Sequence, residues 1–131
     1  MVDIPLIRTS EMYMTRAEAN YNLKNYPEAL SDLNLLRAKR YSDYEEGTEA
    51  GSALEKEIQL QRRLELAFEG HRFFDLKRRH EDVIRDDKGF LADGTGASSD
   101  AQEVSADSPY YVLPIPQSEI DANENMIQNK Y

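Results

Sequence analysis

Arg16-Ala-Glu-Ala-Asn-Tyr-Asn-Leu-Lys-Asn-Tyr-Pro-Glu-Ala-Leu30 holds two helical halves around one turn. Before the turn, Tyr13, Ala17 and Tyr21 recur at four-residue spacing on one face, with Met12, Ala19 and Leu23 on a neighbouring one. Lys24-Asn25 makes the turn. Pro27 then opens a second helix, where its missing N–H costs nothing. Tyr26, Ala29, Leu30, Leu33 and Leu36 form the apolar stripe of that helix, which fades into Lys39-Arg40. Upstream, Ser10 is the expected N-cap, with Glu11 in the first turn where the helix dipole favours an anion. So short a turn predicts an antiparallel helical hairpin over residues 9–40.

Beyond the hairpin, residues 41–52 form an acidic, glycine-bearing linker. Ser52-Ala-Leu-Glu55 predicts a capping box at the start of a third helix, with Leu54, Ile58, Leu60, Leu64, Ala67 and Phe68 as its apolar positions. Gly70 is expected to break it, and His71 to Arg79 gives a shorter continuation carrying Phe73, Phe74 and Leu76, so that 52–79 is helical. Residues 80–131 read as loop and tail. From Lys88 to Pro109 the composition turns to Gly, Asp, Ser and Ala without periodicity, which predicts a long surface loop. Tyr110 to Pro116 is expected to be extended because of its paired prolines, and Ser118 to cap a single turn before a polar tail.

A chain of 131 residues predicts one domain over 1–131, and the elements make its fold class all-α. Lys and Arg number 16 against 25 Asp and Glu, a net charge of −9, with a pI near 4.7. That sign disfavours nucleic acid and anionic membrane surfaces. Mean hydropathy is −0.74, and no apolar run approaches the roughly 20 residues of a membrane helix. Without cysteine there is no disulfide, thiolate metal site or cysteine nucleophile.

The densest polar cluster is Arg62-Arg63-Leu-Glu65-Leu-Ala-Phe-Glu69-Gly-His71-Arg72-Phe-Phe-Asp75. One reading makes Glu65 and Glu69 an acid–base pair, with Arg72 steering an anionic substrate. However, each acid has an arginine at ion-pair spacing, which depresses both pKa values and spoils a general acid. Arg62, Arg63, Glu65, Glu69, Arg72 and Asp75 are therefore read as a structural ion network, with no catalytic residue. His71 and His80 are nine apart without a third ligand, so zinc is not expected. Asp86-Asp87-Lys88-Gly89 and Asp93-Gly94 lack the alternating acids of a calcium loop. No metal or cofactor is expected. Eight tyrosines and no tryptophan leave Tyr41, Tyr44, Tyr110 and Tyr111 as candidate aromatic platforms for a sugar, weighed against a packing role.

Residues 9–40 resemble one tetratricopeptide unit, through Ala17, Tyr21, Tyr26, Glu28, Ala29 and Leu30. Units of that kind normally stack in roughly three or more copies. Three blocks in order resemble the carboxyl-terminal part of the SusD/RagB family of outer-membrane nutrient-binding lipoproteins: Ile4 to Ala19, Arg62 to Arg78, and Leu113 to Asn123. The resemblance implies a non-catalytic protein on the outer face of the outer membrane of Bacteroidetes-type bacteria. There it would bind an oligosaccharide or other nutrient and pass it to a SusC-type TonB-dependent transporter. It also implies that this chain is the C-terminal scaffold of a longer protein whose lipid anchor and much of whose sugar-contact surface lie upstream. Apolar surface left uncovered would then drive self-association. The alternative is a tetratricopeptide-like protein–protein interaction module gripping a peptide carboxylate, for which the hairpin offers only Arg16 and Lys24.

Overall fold

Helices α1 (Thr9–Asn22) and α2 (Tyr26–Arg40) form the expected hairpin in a computed structural model of the chain, which describes residues 8–84 and 103–130. Ala17 and Ala29 are wholly buried and let the two backbones approach. The Tyr21 and Tyr26 rings meet at 5.4 Å near the turn, and Arg16 clasps Asp32 with two hydrogen bonds of 2.8 and 2.6 Å. Helix α3 (Ser52–Glu65) covers the hairpin, and Met14, Ala17, Ala29, Leu33, Leu36, Leu54 and Ile58 make one core with Tyr21 and Leu30 against it.

The turn after α1 is a Schellman motif. The Asn25 N–H donates to the Asn20 carbonyl at 2.9 Å and the Lys24 N–H to that of Tyr21 at 2.9 Å, which requires Lys24 at φ +65°. Glycine adopts that conformation without steric cost, so Lys24→Gly is expected to stabilise the chain by about 1 kcal/mol. A urea midpoint unchanged or lowered by the substitution would contradict this.

Two expected caps are corrected. Helix α1 begins at Thr9, so Ser10 lies inside its first turn, and Arg8 holds the cap position without a side-chain bond. Helix α3 is preceded by Gly51 at φ +55°, which makes Ser52 its first residue, and the capping box is not formed. Glu55 instead accepts from the Tyr21 hydroxyl at 3.4 Å, so its carboxylate ties α3 to the hairpin. The helix ends at Glu65, Gly70 stands at φ +81° as a breaker should, and α4 runs His71–Arg79.

Within the 1–131 span the chain divides into two compact units, Met1–His71 and Arg72–Tyr131. In the second, α4 closes with another Schellman motif through His80 at φ +55°, the Glu81 N–H donating to the Leu76 carbonyl at 2.9 Å. Strands β1 (Val83–Ile84) and β2 (Glu103–Val104) pair antiparallel, Val83 opposite Val104. A ladder of two residues leaves no alternation to read, and the sequence predicted none. The segment expected to be extended from Tyr110 begins with a turn of 3-10 helix, Pro109–Tyr111, capped by the Ser108 hydroxyl. Helix α5 (Gln117–Ala122) starts after Pro116, so Ser118 lies within it and is not its cap. The tail docks through Gln128, which accepts from the Ile115 N–H at 2.8 Å and donates to its carbonyl at 2.9 Å. Most of the loop predicted over 88–109 lies outside the described residues, as do the two aspartate–glycine stretches considered for calcium. No helix among the described residues is long and apolar enough to cross a membrane.

Candidate functional site

Glu65, the last residue of α3, is nearly buried and has both carboxylate oxygens occupied. Arg40, at the end of α2, donates through Nε to Oε2 at 2.8 Å and through Nη2 to Oε1 at 2.7 Å. Arg8, at the entrance to α1, donates through Nη1 to Oε1 at 3.1 Å and through Nη2 to the Glu65 backbone carbonyl. The same guanidinium reaches Glu69, Nε to Oε2, at 3.2 Å. The Arg40 hydrogen bonds dominate the electrostatics. Against burial, which pushes the other way, they bring the Glu65 carboxyl down from 4.5 to about 2, with the Ser10 hydroxyl and the charge of Arg8 adding. Ser10, displaced from its expected capping role, thus serves this carboxylate. A carboxylate so held stays ionised and cannot act as a general acid near neutral pH.

The six residues of the expected network are distributed as follows. Arg62 is buried and donates to the Thr15 hydroxyl at 3.2 Å, while Arg63 is exposed. Glu65 and Glu69 are brought together on Arg8. Arg72 and Asp75 belong to the second unit, where Asp75 is buried and accepts from Arg78 Nε at 3.0 Å. Arg8 and Arg40 escaped the sequence reading because they lie 57 and 25 residues from Glu65, beyond any helical spacing rule.

The linker of residues 41–52 is strapped down by Arg37, which donates to Glu49 at 2.8 Å and to Glu57 on α3 at 2.5 Å. Asn34 Nδ2 donates to the Gly47 carbonyl at 2.9 Å. Between linker and helices lies a cleft of about 560 Å³ lined by Arg37, Arg40, Tyr41, Tyr44, Glu49 and Gln61, among others. Tyr41 is 46% exposed, and its hydroxyl donates to Gln61 Oε1 at 3.1 Å; Tyr44 is half-buried, its hydroxyl accepting from the Gly47 N–H at 3.4 Å. Tyr110 is exposed in the second unit. Tyr111 is corrected from a candidate platform to a packing residue. It is 5% exposed, its ring lies 5.5 Å from Phe73, and its hydroxyl donates to the Glu81 carbonyl at 2.6 Å, so no face is left for a ligand.

Among the described residues no group of three or more His, Asp or Glu is gathered as a metal site. His71 Nδ1 lies 3.8 Å from Glu11, and His80 Nε2 lies 3.0 Å from Asp107.

The family model described as "SusD family" matches residues 1–131, the whole chain. This chain belongs to the SusD family. It is 33% identical over 133 residues to the starch-binding protein SusD of Bacteroides thetaiotaomicron, a match covering 98% of this chain and 21% of that protein. A solved SusD superfamily protein from the same organism superposes with a TM-score of 0.81 at 35% identity, covering 96% of this chain and 27% of that one. The chain therefore spans about a quarter of the length of each relative. Its membership accounts for the three quoted sequence blocks, and the Arg8–Glu65–Arg40 cluster shows the second of them fastening α3 to α1 and α2.

Proposed function

We propose that this SusD-family chain is the C-terminal scaffold of a non-catalytic surface protein that binds a glycan at the outer membrane. That protein would carry its lipid anchor in a preceding part and deliver the glycan to a SusC-type TonB-dependent transporter. The observation that carries this reading is the family match along all of 1–131, joined to the 33% identity with a protein named for starch binding. The occupied Glu65 supports the non-catalytic part, since it removes one member of the carboxylate pair a glycosidase would need. The peptide-adaptor alternative is disfavoured because Arg16, half of its carboxylate clamp, is already bidentate to Asp32.

The test is affinity isolation of the epitope-tagged protein from detergent-solubilised outer membranes, with titration of the chain against neutral oligosaccharides. Recovery with a TonB-dependent β-barrel, together with saturable glycan binding, is expected. Recovery from the cytosol with a peptide-bearing partner and no glycan binding would move the adaptor reading ahead.

A further inference from the structure

The cleft between the 41–52 linker and α3 belongs to no site assigned so far, and its chemistry is selective. Its cations are internally neutralised: Arg37 is engaged by Glu49 and Glu57, and Arg40 by Glu65. Asp43 and Glu45 also line it and add two further carboxylates. An anionic ligand entering would meet net negative charge in a partly desolvated space. A neutral ligand meets no such barrier.

The polar groups in the cleft wall are the Arg37 and Arg40 guanidiniums, already engaged by carboxylates, and the acceptors of Asp43, Glu45, Glu49 and Gln61; beneath them lie two more oxygens. Asn34 Oδ1 and Glu49 Oε2 are buried without a hydrogen-bond partner, and Asn34 as a whole is 7% exposed. Both oxygens are covered behind Gly47, together with Arg37 Nη1: a side-chain carbon on that glycine would stand 2.3 Å from Glu49 Oε2, 2.6 Å from Arg37 Nη1 and 3.0 Å from Asn34 Oδ1. The acceptors open to a ligand are the exposed carboxylates of Asp43 and Glu45 on the cleft wall, which can take hydrogen bonds from a ligand rich in hydroxyl donors. Beside them, Tyr41 offers a half-exposed ring fixed through its hydroxyl to Gln61, and Tyr44 a second ring held against Gly47. Flat apolar faces next to convergent polar groups suit a ligand that is apolar on one side and hydroxylated at its edge.

We infer that this cleft is a subsite for one or two residues of a neutral, unsulfated glycan, with Tyr41 as its platform, and that it rejects uronic-acid oligosaccharides. This rests on the glycan-binding reading above, and the experiment separates the two. Amide chemical shifts of the whole chain are followed while maltoheptaose, cellohexaose, mannohexaose, xylohexaose and, separately, an oligogalacturonate are added. At least one neutral oligosaccharide is expected to shift residues 37–49 and Gln61, while oligogalacturonate shifts none of them. Tyr41→Ala should weaken that binding at least about tenfold, the loss of one well-placed aromatic anchor. Ile127→Ala, at an exposed apolar residue of the other unit, should leave it unchanged. Neutral-glycan binding that shifts only other residues, or that survives Tyr41→Ala undiminished, overturns the subsite and leaves the glycan-binding reading standing. Equal binding of oligogalacturonate overturns the charge selection. No response to any of the neutral glycans overturns the subsite, while the glycan-binding reading falls only if the longer protein isolated from outer membranes also binds none of them.

Discussion

Glu65→Gln is expected to lower stability at pH 7 by about 2–3 kcal/mol and to flatten the acid limb of the stability profile. The glutamine keeps the volume and one acceptor but removes the charge that Arg8, Arg40 and Ser10 converge on. Because the folded-state value of about 2 lies below the ordinary 4.5, the ionised carboxylate contributes its full stabilisation above about pH 4.5. That contribution is lost as the pH falls through the folded value. Wild type should therefore weaken steeply between about pH 5 and pH 2, while the variant, already without the charge, changes less there. The two curves should converge near pH 2. Arg40 is 47% exposed, and screening of that arm keeps the expected figure at the lower end of what a shift of this size implies. Urea titrations at steps from pH 7 to pH 2 make the comparison, and parallel acid limbs for the two proteins would exclude Glu65 as the group responsible. Alanine would be less informative, because it adds a cavity to the lost charge.

The contrast between the two ends of this cluster shows what a sequence can and cannot disclose. Tyr26 to Leu36 was legible because one face of one helix is a local property: the 3.6-residue period places Ala29, Leu33 and Leu36 together, and all three are buried. The partners of Glu65 were illegible for the opposite reason. Local spacing offered Arg62, but the hydrogen bonds that hold the carboxylate come from the entrance of α1 and the end of α2, brought there by the hairpin's path. Ser10 and Ser52 fit the sequence signature of a cap, yet Ser10 is drawn to Glu65 and Ser52 yields to Gly51, whose positive φ starts the helix one residue early. The tyrosines divide on burial, which no spacing rule resolves: Tyr110 and Tyr111 are adjacent in sequence, one exposed and one packed on Phe73. Met14 is wholly buried, whereas the neighbouring face that the sequence offered, Met12 and Leu23, is turned outward. Within α3, periodicity found an apolar face but could not say what covers it. Leu54 and Ile58 enter the core, whereas Leu60 and Leu64 do not, and Phe68, expected on this helix, lies in the turn beyond its end at Glu65.

That uncovered face carries the second large expectation. The double substitution Leu64→Ser, Phe68→Ser should turn a self-associating chain into a monomer. Leu60 and Leu64 lie one turn apart on α3 and Phe68 in the turn that follows its end; Leu60 is 43% exposed, Leu64 55% and Phe68 entirely. Phe68 also sits at φ +65°, a left-handed conformation that costs a non-glycine residue about 1–2 kcal/mol, so its exposure is bought with strain. Burying such a side chain returns about 1.5–3 kcal/mol, and a two-fold dimer doubles every such term because each copy offers the same patch. A second copy of the chain offers the same apolar side chains as cover. Sedimentation velocity from about 1 to about 100 μM should show wild type growing in mass with concentration, with the variant remaining at that of one chain. The far-ultraviolet spectrum should be unchanged, since neither side chain belongs to the buried core. A wild type monomeric throughout, or a variant that associates as strongly, would mean that this face is tolerated in water at its full exposure and that Phe68 is held out for another reason.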